Sequence, residues 1–529
     1  MGLPLLGAAE PAPAPEAVYQ FSAALPTKNQ HQARAFLWIP PACTKVRGII
    51  YGRQVILEKL ALDDPIIRQV ATEQDLAVII TKDTDSTWTY KKDATGPADV
   101  QALLDQLAAT SGYPEIATAP WLPIGHSGAA IGAWNMGYAQ PGRTFGIVGL
   151  HAVAINPPDY DTKAKVIGIP ILCINGEWEM WTGPERHLNH HVNWLRGALL
   201  GMRGVQPEVL ATALVQPGAG HFNWDARLAQ HVAEFIRAAA DLRLPPKGTD
   251  GPLRDVKLEQ GWLSQATRAE RSTVPPAPFA AYTGDPFLAY WHPNGDLAQR
   301  TDAYAALNAG KKPQMLSFRE GDKVLPAGWN VSIKPTYEAD GETIRVQAEF
   351  IDRWPEKTLG TGMPLGHATG GTIRYQLIGG WGGGGVQTGP DTFKARPICF
   401  GGSGGGIMIV ASHEGDAEYG FTEMAGTIAV PDRLKEGTAQ TIDFPQPADV
   451  PTGVAAVPLA ATATSGLPVS FTVISGPATI AGNQLTFTAL PAKAKRPVTI
   501  TIQAWQRGRP VGELVQTAAP VTRTFTWGG

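Results

Sequence analysis

The segment Trp121-Leu122-Pro123-Ile124-Gly125-His126-Ser127-Gly128-Ala129 holds the residues best placed to do chemistry. An apolar run of strand length leads into a serine flanked by small residues, and a helical pattern follows. Small neighbours let the backbone take a sharp, strained strand-to-helix turn that lifts the serine hydroxyl out of the sheet. The hydroxyl then stands at a helix N-terminus, where the dipole favours developing negative charge. Such an elbow usually has glycine at its fifth position. Here that residue is Ala129, which is still small. Serine is a poor nucleophile until a neutral imidazole takes its proton, so a histidine and a carboxylate must reach it from elsewhere in the chain. The candidates are His221, in Gly218-Ala219-Gly220-His221-Phe222, and the acids of Asn175-Gly176-Glu177-Trp178-Glu179.

These residues need a frame, and the pattern from 19 to 244 supplies one. Apolar runs of strand length occur at Val46–Tyr51, Leu76–Ile80, Trp121–Ile124, Phe145–Leu150, Ile169–Ile174 and Leu210–Val215. Helical segments separate them. Asp64-Pro65 reads as an N-cap followed by proline at the first helical position. Val100, Leu103, Leu104 and Leu107 recur at helical spacing before Gly112, and Leu228, Val232, Phe235 and Ile236 repeat that spacing later. Apolar strands alternating with amphipathic helices predict a mostly parallel, doubly wound sheet of the α/β class. Tyr19–Leu25 and Arg34–Ile39 predict an antiparallel edge.

The elbow, the strand–helix alternation and the order serine, acid, histidine together resemble the α/β-hydrolase superfamily over about residues 19–244, and a serine esterase in particular. The resemblance implies Ser127 as nucleophile, His221 as its base and an acid three residues past a glycine on the preceding loop. Glu179 holds that position after Gly176; Glu177 is the rival, since side chains two apart on an extended segment point the same way. The acid would fix the His221 tautomer and stabilise the imidazolium. The oxyanion hole would combine the Gly128 N–H with one from the loop after Val46–Tyr51, from Arg53 or else Gln54.

Trp88, Trp178, Trp181 and Trp224 follow the carboxyl ends of predicted strands, the edge where such sheets bind ligands, and His151 ends another strand there. They are candidate substrate-binding residues, with loop packing as the alternative. Only about eighteen residues separate His151 from Ile169, too few for a large cap. The cleft is then open unless the middle region folds over it, and openness suits a bulky or polymeric ester. His187, His190 and His191 could share a helix face, yet no H-E-x-x-H pattern accompanies them and no metal or other cofactor is expected.

The 529 residues exceed one core. Residues 1–18 look like a trimmed signal-peptide remnant and leader, which implies a secreted or periplasmic protein. A linker and helix/loop region spans 245–329, opening at Pro245-Pro246 and holding a helix near Leu297–Asn308. A β-rich accessory domain spans 330–447, with glycine-rich stretches Gly379–Gly385 and Gly401–Gly406 that lack the lysine and helix of a phosphate loop. The tail, 448–529, alternates like an immunoglobulin-like (Ig-like) β-sandwich without its cysteine pair. Both β regions resemble the accessory parts of secreted bacterial hydrolases. A net charge of −3 with no basic run gives no reason to expect a nucleic-acid partner. No apolar stretch has the length of a membrane span, and three scattered cysteines make no disulfide framework. The sequence thus points to a secreted serine carboxylic ester hydrolase acting on a polysaccharide-linked ester or a polyester. A serine peptidase of the same fold and a binding or adhesion protein on a hydrolase scaffold are the rivals. Because Ser127, Glu179 and His221 all precede Pro246, the second half should matter for large substrates and little for a small ester.

Overall fold

The computed structural model describes residues 17–26, 32–84, 96–152, 168–179, 190–266, 272–355, 361–379, 384–396 and 406–529, the side chains of 32 and 190–196 apart. The predicted alternation folds into one eight-stranded sheet. Its strands are β1 (Phe21–Pro26), β2 (Gln32–Trp38), β3 (Gly48–Arg53), β4 (Leu76–Lys82), β5 (Trp121–His126), β6 (Ile147–Leu150), β7 (Ile171–Gly176) and β8 (Ala211–Gln216). They lie in the order β1-β2-β4-β3-β5-β6-β7-β8. β1 runs antiparallel to β2 and β2 to β4, as the edge was expected to, and the remaining pairs are parallel. The region is α/β-hydrolase-like.

The helices are α1 (Glu58–Asp63), α2 (Pro65–Glu73), α3 (Gly96–Ser111), α4 (Ala130–Ala139), α5 (His190–Val205) and α6 (Ala226–Arg243). Asp64 caps α2 by accepting the Ile66 N–H at 2.8 Å. Successive strand residues feed opposite layers. Ile50, Val78 and Ile80 pack with α2 and α6, while Ile49, Ala77 and Ile79 pack with α3. Period-two side-chain direction thus makes an unbroken apolar run fit a sheet covered on both faces.

The second half is rich in small sheets. Trp262–Gln265, Ala277–Pro278 and Ala289–His292 form a three-stranded antiparallel sheet. Its Leu263, Ala289 and Trp291 share a cluster with Leu210, so much of region 245–329 packs against the main sheet's β8 side and is not a free linker. The predicted helix is Gly295–Ala305, capped by Asn294. Two four-stranded sheets follow and share one core through Val331, Ile333, Ile344, Phe393, Ile407 and Ile409. Most of both glycine-rich stretches lies outside the described residues. In the tail, Ala456–Pro458, Gln484–Phe487 and Ala478–Ala481 make one sheet and Ser470–Ser475, Val498–Trp505 and Val521–Trp527 another. The two sheets bury a common cluster that includes Phe444, Leu485, Phe471 and Ile500. Ile442–Asp443 pairs with Thr462–Ala463, so the tail unit starts before 448. It also docks on the first domain: the Gly476 N–H donates to Tyr19 O at 2.9 Å and the Lys495 N–H to Ser111 O at 3.2 Å.

Candidate active site

Strand β5 delivers Ser127 into a left-handed backbone conformation, φ +50°, before a single turn leads into α4. Few non-glycine residues adopt that region, at a cost of about 1–3 kcal/mol, and when held there they cluster at functional sites. The surroundings hold the turn in place. A side chain at Gly125 would put its Cβ 2.6 Å from Ala130 Cα and 2.7 Å from Ala129 O, so the strand can meet the helix only with glycine there. Glu58, fully buried at the start of α1, accepts the His126 N–H at 2.7 Å with one oxygen and the Val55 and Ile56 N–H groups at 2.9 Å with the other. Burial pushes its carboxyl up, against the pull of those donors. Glu58 was missed in the sequence, where it reads only as an acid in a helix's first turn.

Ser127 is half-buried and Gly128 exposed, with open space where a Gly128 side chain would stand. In the loop after β3 the Gln54 N–H is spent on Thr81 O at 2.8 Å, and the next two N–H groups on Glu58. Arg53, the expected second oxyanion donor, ends β3, and its guanidinium Nε donates to Thr84 O at 3.1 Å.

Glu179 and His221 meet. His221 Nδ1 lies 3.0 Å from Glu179 Oε2, and Oε1 accepts the Gly176 N–H at 2.6 Å. Glu177 points elsewhere and accepts the Gly218 N–H at 2.9 Å. The chain turns at 177–179 instead of staying extended, which separates the two side chains. Burial works to raise the Glu179 carboxyl, but His151 and His221 outweigh it and hold it well below the usual carboxylate range. His221 also lies close to the elbow. Its ring centroid is 4.8 Å from that of His126, and His126 Nε2 donates to the His221 carbonyl at 3.0 Å. Burial, then the neighbouring histidines, drives the His126 imidazole far down. No hydrogen bond joins Ser127 to His221 in this structure; such contacts often close only with substrate bound.

Three of the expected substrate contacts lie elsewhere. His151 does not face a cleft. Its side chain is fully buried, at φ +47°, with Nδ1 2.6 Å from Glu179 Oε1 and Nε2 donating to Asn223 O at 3.0 Å. Both ring nitrogens thus face oxygen acceptors, and the carboxylate bridges two histidines. Trp224 is buried in the core and donates from Nε1 to Asp64 at 2.9 Å. Trp178 packs with Met315 and Leu365 of the second half, its ring 5.9 Å from that of Trp354. For both tryptophans, burial of the large apolar ring prevails over display. Trp88, Trp181 and His187 lie outside the described residues, as do the side chains of His190 and His191. Among the described residues no group of three or more His, Cys, Asp or Glu could hold a metal, and no helix is long and apolar enough to cross a membrane.

The second half holds the histidine loop. Glu423, on the strand Thr422–Ile428, accepts the Gly220 N–H and the Asn223 side-chain amide, each at 2.6 Å, and its own N–H donates to Gly218 O at 3.1 Å. Gln376 donates to Trp224 O at 2.7 Å. Gly218 has φ +70°, and a Cβ there would fall 1.9 Å from Phe421 O, so the contact admits only glycine. Burial lifts the Glu423 carboxyl to about 7, against the pull of Asn223 and Gly220. Trp329 then packs on the rings of His221 and Phe222, at centroid distances of 5.2 and 5.1 Å. Neither Glu423 nor Trp329 is signalled by any motif; each is placed by contacts between distant segments.

No family model matches the chain, and no curated protein matches it. Solved structures similar to it include esterase PE8, at 15% identity, covering 38% of this chain and 96% of that one with a TM-score of 0.28. The S-formylglutathione hydrolase FrmB of Staphylococcus aureus is 15% identical, covering 43% and 98%, with a TM-score of 0.28. An S-formylglutathione hydrolase of Agrobacterium tumefaciens is 12% identical, covering 42% and 94%, with a TM-score of 0.30. Likenesses this low say nothing about the chemistry of this site.

Proposed function

We propose that the protein is a serine hydrolase of carboxylic esters working through an acyl-enzyme. The observation that supports this is the strained Ser127 elbow, next to a His126 ring that lies 4.8 Å from the ring of His221, together with the His221–Glu179 pair. Ser127 Oγ attacks the acyl carbon while His221 takes its proton; Glu179 holds Nδ1–H and with it the tautomer that leaves Nε2 free to accept. The Gly128 N–H and that of Arg53 would receive the oxyanion. The substrate is a polysaccharide-linked or other bulky ester, met outside the cytoplasm, and the tail serves as an Ig-like accessory module. Support for the bulky ester comes from the exposed Gly128 and the aromatic wall that Trp329 adds.

Ser127→Ala tests the chemistry. Turnover of p-nitrophenyl acetate should fall by about 10⁴-fold or more with the thermal midpoint unchanged. Labelling by a fluorophosphonate probe should vanish with it. A variant that keeps a tenth of the activity would show that Ser127 is not the nucleophile.

A further inference from the structure

Trp329 comes from the second half of the chain and stands against the site. The residues after it hold it there. The Asn330 side chain exchanges hydrogen bonds with Thr427 at 2.9 and 3.2 Å, and Val331 pairs with Gly426 in the sheet. Trp329 keeps 37% of its surface exposed, although one side of the indole rests on His221 and Phe222. Every other tryptophan whose side chain is described is buried or half-buried. An indole left partly in water beside a histidine that is itself 7% exposed offers an apolar face to whatever approaches that histidine.

We propose that Trp329 determines specificity for the alcohol side of the ester, and that the preferred alcohol carries a ring, either a pyranose or an aryl plane. This rests on the serine ester hydrolase proposed above. In acylation the Ser127 Oγ–acyl bond forms and the acyl–alcohol C–O bond breaks. The proton that His221 took from Ser127 passes to the departing alcohol oxygen. That oxygen must therefore come within hydrogen-bonding reach of His221, which places its substituent among the neighbours of His221. Among the described ring neighbours of His221, Trp329 is the exposed one. The C–H face of a sugar or the plane of an aryl group can stack on the free side of the indole; an ethyl group covers little of it. In deacylation the alcohol has left, and water attacks an acyl-enzyme that is the same whatever alcohol came with it. Trp329 should therefore act on kcat/KM and leave deacylation alone.

The test holds the acyl group constant and varies the alcohol: ethyl acetate, p-nitrophenyl acetate and glucose pentaacetate, with the full-length protein, Trp329→Ala and Trp329→Phe. For Trp329→Ala, kcat/KM on the two ring-bearing acetates should fall about tenfold further than on ethyl acetate. Trp329→Phe should recover most of that ratio. The deacylation rate, read from the steady state after a p-nitrophenol burst, should match the parent protein. An equal fall on all three acetates, or slower deacylation, would make Trp329 a support for His221 and overturn the proposal. Wild-type hydrolysis of the same acetates by Ser127→Ala would overturn the serine mechanism itself, a failure separable from the first because it does not involve Trp329.

Discussion

Replacing Glu423 with glutamine takes one titrating group out of the joint between the two halves and nearly keeps its shape. The Glu423 carboxyl is buried against the histidine loop, and burial lifts it from 4.5 to about 7 despite two donors at 2.6 Å. A carboxyl with a higher pKa in the folded than in the unfolded state binds its proton more tightly when folded. Its contribution to stability is therefore complete below about pH 4.5, shrinks as the pH rises and is gone once the pH has passed about 7. The interval from 4.5 to about 7 is worth roughly 3 kcal/mol, of which roughly 2.5 kcal/mol falls between about pH 5 and about pH 8. Glu423→Gln cannot titrate. Its amide also points an N–H at one of the two donors, a cost that does not change with pH. Urea unfolding of both proteins across that range, followed by tryptophan fluorescence and by residual esterase activity, gives the difference curve. Other titrating groups cancel in it. The parent protein's stability relative to the variant should decline by roughly 2.5 kcal/mol on going from about pH 5 to about pH 8. A difference constant to within about 0.5 kcal/mol would refute the burial argument.

Two further outcomes follow from the same geometry. His151→Ala leaves the Asn223 carbonyl and one Glu179 oxygen each short of a donor, so the carboxylate can shift and take His221 with it. kcat on p-nitrophenyl acetate should drop by up to about a hundredfold with KM little changed, and activity within a factor of about two of the parent would refute a positioning role. Ending the chain at Pro246 removes Glu423, Gln376 and Trp329 together. Sequence alone predicts that a small ester is then still hydrolysed well. The structure predicts a loss of about a hundredfold or more even on p-nitrophenyl acetate, measured on soluble, monodisperse protein.

What could be read in the sequence is what local physics dictates. Strand runs such as Leu76–Ile80 are apolar throughout because both faces are covered, and the helix cap at Asp64 is a side-chain acceptor facing a free N–H group. Ser127 was legible for the same reason, since a strained turn between small residues leaves a trace within nine positions. Spacing alone left the contest between Glu177 and Glu179 open, and only the glycine offset of the resemblance favoured Glu179, the acid that meets His221. The contest turns on whether the chain stays extended after β7 or bends, and the bend comes from contacts with the next loop, the Gly218 N–H on Glu177 and Glu177 N–H on Gln216 O. The aromatics misled because position at a strand's carboxyl end says where a residue starts and not which way its ring turns. Trp224 turned inward to Asp64, and Trp178 turned toward the second half.

Several contacts between the histidine side of the site and the second half could not be read, and these join partners about 200 residues apart. Glu423 and Gly220, Asn223 and Glu423, and Arg227 and Glu414 are separated by 203, 200 and 187 positions. At such distances no spacing rule applies, because the intervening chain can take any path that closes the contact. The Gly218–Trp224 segment shows the consequence. A loop with two glycines around its histidine has no stiffness of its own, and conformational entropy opposes holding an imidazole still. Here the bonds that hold it come from three sides: Glu179 from β7's loop, His126 from the elbow, and Glu423 from the second half. The last of these is the one a truncated protein lacks. It follows that the second half does more than frame a cleft. It restrains His221, the base of the proposed reaction, and the activity of the first 246 residues alone is the measurement that decides it.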